Sequence, residues 1–208
     1  MRSAVYLRKT DGSDAVRLGE GKALALSPDG KWALALQGTS PPQLLLLPTG
    51  PGEQKPLPRG GINEYYWASW FPDGRRIVFA GAEAGHRPRS YIQDVEGGAP
   101  RPVTAEGMVA VLLSPDGKLI AAYGPYGESF LCPVDGGKPR SIPGLAEGEV
   151  PLQWSADGRS LHVRGPGDFA VKVYRLDLST GRREFWKELA PSDQQVSLAS
   201  PPIPEGCV

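Results

Sequence analysis

The sequence predicts an all-β fold assembled from repeated four-stranded antiparallel units, and three observations carry that prediction. A short phrase recurs four times, as Ser27-Pro28-Asp29-Gly30, Phe71-Pro72-Asp73-Gly74, Ser114-Pro115-Asp116-Gly117 and Ser155-Ala156-Asp157-Gly158. Its aspartates stand 44, 43 and 41 residues apart, a period that marks a repeat architecture. Apolar residues alternate on both sides of each phrase, as strands require, and no unit carries the i, i+3, i+4, i+7 stripe of a helix. The 27 glycines and 22 prolines make up close to a quarter of the 208 residues, which suits many short strands joined by tight turns.

Each unit reads as four strands in succession. The first ends at the phrase, with Leu24 and Leu26, Ala68 and Trp70, Val111 and Leu113, Leu152 and Trp154 at alternate positions. Proline presets φ at the first turn position, aspartate bonds nearby backbone and glycine takes the positive φ. The second strand follows at Trp32–Leu36, Arg76–Ala80, Leu119–Tyr123 and Ser160–Arg164. It is apolar on both faces in the first three units, so it is expected to be covered on both. Third strands are predicted at Gln43–Leu47, Ser90–Val95, Phe130–Val134 and Val171–Leu178, each ending in a glycine turn. Fourth strands are predicted at Lys55–Pro58, Arg101–Thr104, Arg140–Pro143 and Glu184–Leu189. Prolines in or beside the first three place them at a sheet edge, because proline cannot donate to a ladder.

Four-stranded meanders of this length, stacked face to face, are the blades of a β-propeller. The predicted blades cover residues 22–60, 64–107, 108–148 and 149–190, and a half blade precedes them at 4–20 in Ala4–Leu7 and Val16–Leu18. The whole chain, 1–208, reads as one propeller with an irregular tail over 191–208. In that tail Val196–Pro202 starts like a first strand but lacks the Asp-Gly turn. The predicted ring is therefore incomplete, a fragment of a larger propeller protein; the rival is a five-bladed ring with a defective last blade.

The totals exclude several function classes. With 23 basic and 23 acidic residues, no net field steers the chain to nucleic acid or an anionic membrane. No apolar run approaches the ~18 residues of a membrane span, and the first residues lack a signal-peptide core. Cys132 and Cys207 supply neither a disulfide framework nor metal spacing. No metal site and no cofactor are expected. A kinase would need a glycine-rich loop, a strand lysine, an H-R-D loop and D-F-G; Gly85-His86-Arg87-Pro88 lacks the aspartate. A peptidase would need a G-x-S-x-G elbow, and Gly127-Glu128-Ser129-Phe130-Leu131 lacks the second glycine. This chain by itself is expected not to be catalytic.

The repeated wording, apolar-x-aromatic/Leu-Ser-Pro-Asp-Gly-Lys/Arg, resembles the TolB-type propeller repeat, a relative of the WD repeat without its Trp-Asp signature. Such repeats occur in the Tol–Pal protein TolB, in propellers of prolyl-oligopeptidase-like peptidases and as a C-terminal region of bacterial membrane serine/threonine kinases. Tyr6-Leu7-Arg8-Lys9-Thr10-Asp11-Gly12, Trp70-Phe71-Pro72-Asp73-Gly74-Arg75-Arg76 and Tyr174–Gly181 look most like the last group. That resemblance implies a kinase domain and a membrane span upstream, an extracytoplasmic location for this region, and a role in protein or ligand recognition. A peptidase accessory propeller and a TolB-like envelope component are the alternatives. An enzyme built on a propeller channel is the least favoured, because the first strands carry no row of acidic residues.

In such a blade the stereotyped Asp-Gly turns share one end, and the fourth-to-first and second-to-third connections share the other. Binding residues concentrate on variable loops held by a rigid scaffold. These loops are expected at Gly60–Tyr66, Gly81–Ser90, Gly124–Glu128 and Gly165–Phe169, with Glu64, Tyr65, Tyr66, His86, Arg87, Arg89, Tyr126 and Glu128 as candidate ligand or partner contacts. Tyrosine and arginine suit contact anchors. The plainer role for Tyr66 and Trp67 is to fill the seam between blades. His162 takes the place of Leu34, Val78 and Ala121 and is expected to pack between blades. Unclosed blades are expected to promote self-association.

Overall fold

The computed structural model describes residues 3–166 and 171–189. They form eighteen strands and no helix: β1 (Ala4–Leu7), β2 (Val16–Glu20), β3 (Lys22–Leu26), β4 (Trp32–Gln37), β5 (Gln43–Pro48), β6 (Lys55–Pro56), β7 (Ile62–Trp70), β8 (Arg76–Glu83) and β9 (Arg89–Asp94), followed by β10 (Arg101–Pro102), β11 (Val109–Leu113), β12 (Leu119–Tyr123), β13 (Ser129–Pro133), β14 (Arg140–Ser141), β15 (Val150–Trp154), β16 (Ser160–Arg164), β17 (Val171–Asp177) and β18 (Arg183–Leu189). Four antiparallel meanders result, β3–β6, β7–β10, β11–β14 and β15–β18, beside a two-stranded β1–β2 sheet. These are the blades read from the repeat, with the half blade at the start. The expected strand start at Val196–Pro202, Cys207 and part of the expected Gly165–Phe169 loop lie outside the described residues.

The turns form for the reasons the phrase contains. Gly30, Gly74, Gly117 and Gly158 all have φ between +65° and +71°, a region only glycine adopts cheaply. The N–H of each donates to the carbonyl three residues back, on Ser27, Phe71, Ser114 and Ser155. In three blades the serine hydroxyl donates to the aspartate at 2.6–2.7 Å and accepts the N–H of Trp32, Leu119 or Ser160 at 2.9 Å. The second blade has Phe71 instead, and there Arg76 bonds Asp73 and lies over the Phe71 ring at 4.4 Å. Serine hydrogen bonds hold Asp29, Asp116 and Asp157 below the usual carboxylate range.

The chain divides into two compact units, Met1–Ala110 and Val111–Val208. In the first, β4 is apolar on both faces because both are covered. Ala33 and Ala35 pack with Leu45, Leu47 and Val5 of β1; Leu34 packs with Leu44, Leu46, Ile62, Trp70, Ile77 and Phe79 of the next blade. In the second, Ala121, Leu131 and Ile142 pack against Trp154, Leu161, Val163 and Leu176. Burying one such side chain contributes about 1.5–3 kcal/mol, so the blade-to-blade layers supply the main cohesion of each unit.

Fourth strands lie at the sheet edges as expected. The first three are only two residues long, shorter than predicted, since flanking prolines end the ladder. His162 departs from expectation. Leu34, Val78 and Ala121 are fully buried, whereas His162 is only half-buried, with its ring 4.4 Å from that of Trp186. It packs on an outer-strand side chain of its own sheet.

Candidate functional site

In the second blade the strands run past the length the sequence implied. β8 continues to Glu83 and β9 begins at Arg89, so the loop between them shrinks to 84–88. The expected Gly60–Tyr66 loop is likewise mostly strand, because β7 starts at Ile62 and takes in Glu64, Tyr65 and Tyr66. The extension depends on Gly81. A Cβ there would lie 2.7 Å from the Glu64 carbonyl oxygen, so only glycine lets β7 approach β8 so closely. Two register shifts, between Ile62 and Glu64 and between Tyr65 and Trp67, take up the extra residues of β7.

The extended hairpin builds a layered site from aromatic base to charged rim. Phe79, fully buried, stacks on Tyr91 (centroids 5.4 Å apart) and meets Tyr65 at 5.3 Å. Above it, Arg89 Nη2 donates to Glu83 Oε1 at 3.0 Å, Arg89 Nε donates to the Tyr91 hydroxyl at 3.0 Å, and that hydroxyl donates to Glu83 at 2.9 Å. The guanidinium lies over the Tyr91 ring at 5.3 Å. Hydrogen bonds from Arg89 and then Tyr91 keep the Glu83 carboxyl below its ordinary range, and burial pushes the Tyr65 phenol up to about 12. Glu83 is thus a fixed anion and Tyr65 a fixed neutral phenol across physiological pH.

Beside this network, His86 Nδ1 bonds Glu106 Oε1 at 2.8 Å, linking the β8–β9 loop to the segment after β10. The His86 contact and the Arg87 N–H hold the Glu106 carboxyl low. The same segment is secured by Gly107 N–H to the Pro88 carbonyl at 2.7 Å and by Ala110 N–H to the Ser90 hydroxyl at 2.7 Å. Ser90 is engaged by backbone on both sides, accepting from Ala110 and donating to Met108. It has the partners of a structural brace. Arg87 is exposed at the loop tip; Tyr66 donates to the exposed Glu64 carboxylate.

Six of the eight expected contacts, Glu64, Tyr65, Tyr66, His86, Arg87 and Arg89, therefore share one end of one sheet in the first unit. Tyr126 and Glu128 belong to the second unit and form a turn of their own. Gly124 N–H donates to the Glu128 carbonyl at 2.7 Å, and the Glu128 carboxylate accepts the Tyr126 N–H at 3.1 Å. That leaves the Tyr126 side chain 86% exposed. Sequence reasoning missed Glu83, Tyr91 and Glu106. Glu83 and Arg89 flank one loop with opposite charges, which was a usable signal; Tyr91 reads as a core residue, and Glu106 carries no local mark.

Carboxylate, guanidinium, phenol and imidazole groups paired on one hairpin are fixed donors and acceptors of the kind that suits polar contacts. Among the described residues no group of three His, Cys, Asp or Glu side chains is placed to hold a metal ion.

No protein-family model and no curated protein sequence matches this chain. Solved structures do. TolB from Acinetobacter baumannii is 20% identical, with a TM-score of 0.67 over 88% of this chain and 48% of that one. Oligogalacturonate lyase from Vibrio parahaemolyticus is 18% identical, with a TM-score of 0.67 over 89% of this chain and 59% of that one. A prolyl endopeptidase is 17% identical, with a TM-score of 0.64 over 91% of this chain and 31% of that one. This chain thus spans about half of TolB, about three-fifths of the lyase and less than a third of the peptidase. At these identities the likeness concerns the fold alone, and that fold is the β-propeller shared by these proteins.

Proposed function

We propose that this chain is a non-catalytic recognition propeller whose second blade presents the contact surface, at Glu64, Tyr65, Tyr66, His86, Arg87 and Arg89. One observation supports the reading above others. The β7–β8–β9 extension fixes an anion, a cation and the Tyr91 phenol by mutual hydrogen bonds, with Tyr65 packed on the same buried aromatic base. Rigid anchors of this kind lose little entropy on binding a protein or small polar ligand. Tyr126 and Glu128 are proposed as a second, separate contact.

Within that reading, the kinase-like wording of the repeats favours a sensing region of a membrane serine/threonine kinase, outside the cytoplasm. The likeness to a prolyl endopeptidase favours instead a propeller that accompanies a hydrolase domain. The flanking coding sequence separates them, since a kinase would show H-R-D and D-F-G and a hydrolase G-x-S-x-G. For the surface itself, crosslinking and pull-down with the parent chain and with a Tyr66→Ala/Arg87→Ala variant gives the test. At least one captured partner is expected to fall by about tenfold or more, as loss of two contact anchors predicts. A partner set unchanged by the double substitution would count against this face.

A further inference from the structure

The outer strand of the last sheet breaks the pattern its three counterparts keep. β6, β10 and β14 have two residues each, and two of them contain proline. β18 has seven residues and no proline, and all seven are exposed, Phe185 by 60% and Trp186 by 50%. Among the described residues only β17 pairs with it. A long, unguarded edge with exposed aromatics is a template for a further strand.

We propose that β18 pairs antiparallel with β18 of a second copy of this chain, across a two-fold axis at Phe185–Trp186. The choice of a second copy rests on charge order and on a bulge. The charges along β18 run Arg183 positive, Glu184 negative, Lys187 positive and Glu188 negative. A reversed copy laid alongside sets Arg183 against Glu188 and Glu184 against Lys187, each twice. Directly opposed residues must stand on the same face of the sheet. In an unbroken strand Glu184 and Lys187, three residues apart, would stand on opposite faces.

The bulge removes that obstacle. Glu184 pairs with Arg175 and Lys187 with Val173, two apart on β17, so Glu184 and Lys187 share one face. Arg183 pairs with Leu176 and Glu188 with Lys172, four apart, so those two share the other. The additional residue is Trp186, which lies against His162 on one face, while Phe185 meets Tyr174 edge-on (6.0 Å) on the other. Between the paired charges Phe185 and Trp186 lie on opposite faces and do not pair directly, so the ladder is interrupted at the axis and each aromatic meets its own copy diagonally across it. Arg183 is already bound to the buried Glu149 at 2.7 Å, whereas Glu184 meets the exposed Arg182 at 3.3 Å and Lys187 lies over the Trp186 ring, so the more exposed Glu184–Lys187 pair reports the register best. This contact is isologous and closed, and it is independent of any partner at the second-blade rim.

Sedimentation equilibrium of the full chain tests the proposal. A concentration-dependent monomer–dimer equilibrium is expected. Glu184→Lys and Lys187→Glu, made singly, place like charges opposite one another and should each weaken dimerisation roughly tenfold. The E184K/K187E double variant restores opposite charges and should recover the parent affinity. In the parent, amide hydrogen exchange across Arg183–Leu189 should slow as concentration rises, which needs no variant to fold. A parent that stays monomeric, a double variant no better than the singles, or β18 exchange independent of concentration would each overturn the proposal.

Discussion

Gly144 has φ +73°, and a Cβ built on it would stand 2.1 Å from the Gly181 carbonyl oxygen. Two turns of neighbouring blades thus touch backbone to backbone, and no side chain fits between them. Gly144→Ala is expected to cost about 2–4 kcal/mol by combining an unfavourable φ with a clash that neither turn can relieve. Chemical denaturation measures it, and a loss below about 0.5 kcal/mol, the range of an ordinary surface change, would show the two turns to be loosely held. His162 makes a different residue-scale prediction. Burial first, then the nearby Arg175 and Lys187 charges, lower its pKa, and its Nδ1 has no hydrogen-bond partner among the described residues. A histidine with a depressed folded pKa binds protons more readily unfolded, so stability is full above its unfolded value of about 6.5 and declines as pH falls below it. His162→Leu should remove that part of the pH dependence, read as the change in melting temperature between pH 7.5 and 5.5. An unchanged slope would assign the dependence to other groups.

At the scale of the element, β18 is held by more than its ladder. Arg183 on β18 reaches Glu149 in the loop before β15 at 2.7 Å and lies over the Tyr174 ring at 4.3 Å. The Glu149 side chain is only 1% exposed, and its second oxygen accepts the Ala146 N–H. Arg183→Ala leaves a buried carboxylate with one partner fewer and should destabilise by about 2–3 kcal/mol, whereas Arg183→Ala/Glu149→Gln should recover part of that loss. Urea titration of the three proteins checks this; equal loss in the single and double variants would locate the effect in Tyr174 packing instead. At the same scale, strand identity was readable from alternation and strand length was not. β4, β12 and β16 begin where the apolar pattern says, within a residue. β8 runs on to Glu83 because Gly81 admits β7, a condition set by the neighbouring strand and invisible in β8 itself.

For the whole molecule, the repeated turns tie stability to carboxylate ionisation. Asp29, Asp116 and Asp157 are held below the ordinary range chiefly by serine hydrogen bonds, and Asp177 well below it by Ser179 and Thr180. Groups with depressed folded pKa values stabilise fully above their unfolded values and lose that contribution as pH falls through the folded ones. The melting temperature should therefore hold from pH 7 to about 5, apart from the His162 component, and fall steeply below about 4, the unfolded aspartate range. A Ser27→Ala/Ser114→Ala/Ser155→Ala variant should show a shallower acid limb, and an identical limb would mean that these hydroxyls do not set the carboxylates. The four phrases and their alternating flanks by themselves determined the four full blades of the described residues, their strand order and the turn chemistry, because these depend on local backbone preference and a period of two. They also separated the end with the stereotyped turns from the end where contact residues are proposed. Only the tertiary structure decided which of those residues meet. Glu83, Tyr91 and Glu106 join Arg89 and His86 through pairing across three strands and a loop, whereas Tyr126 and Glu128 close on each other. The partition of the eight candidates was set by strand register and by Gly81, and both depend on close approach between strands distant in sequence.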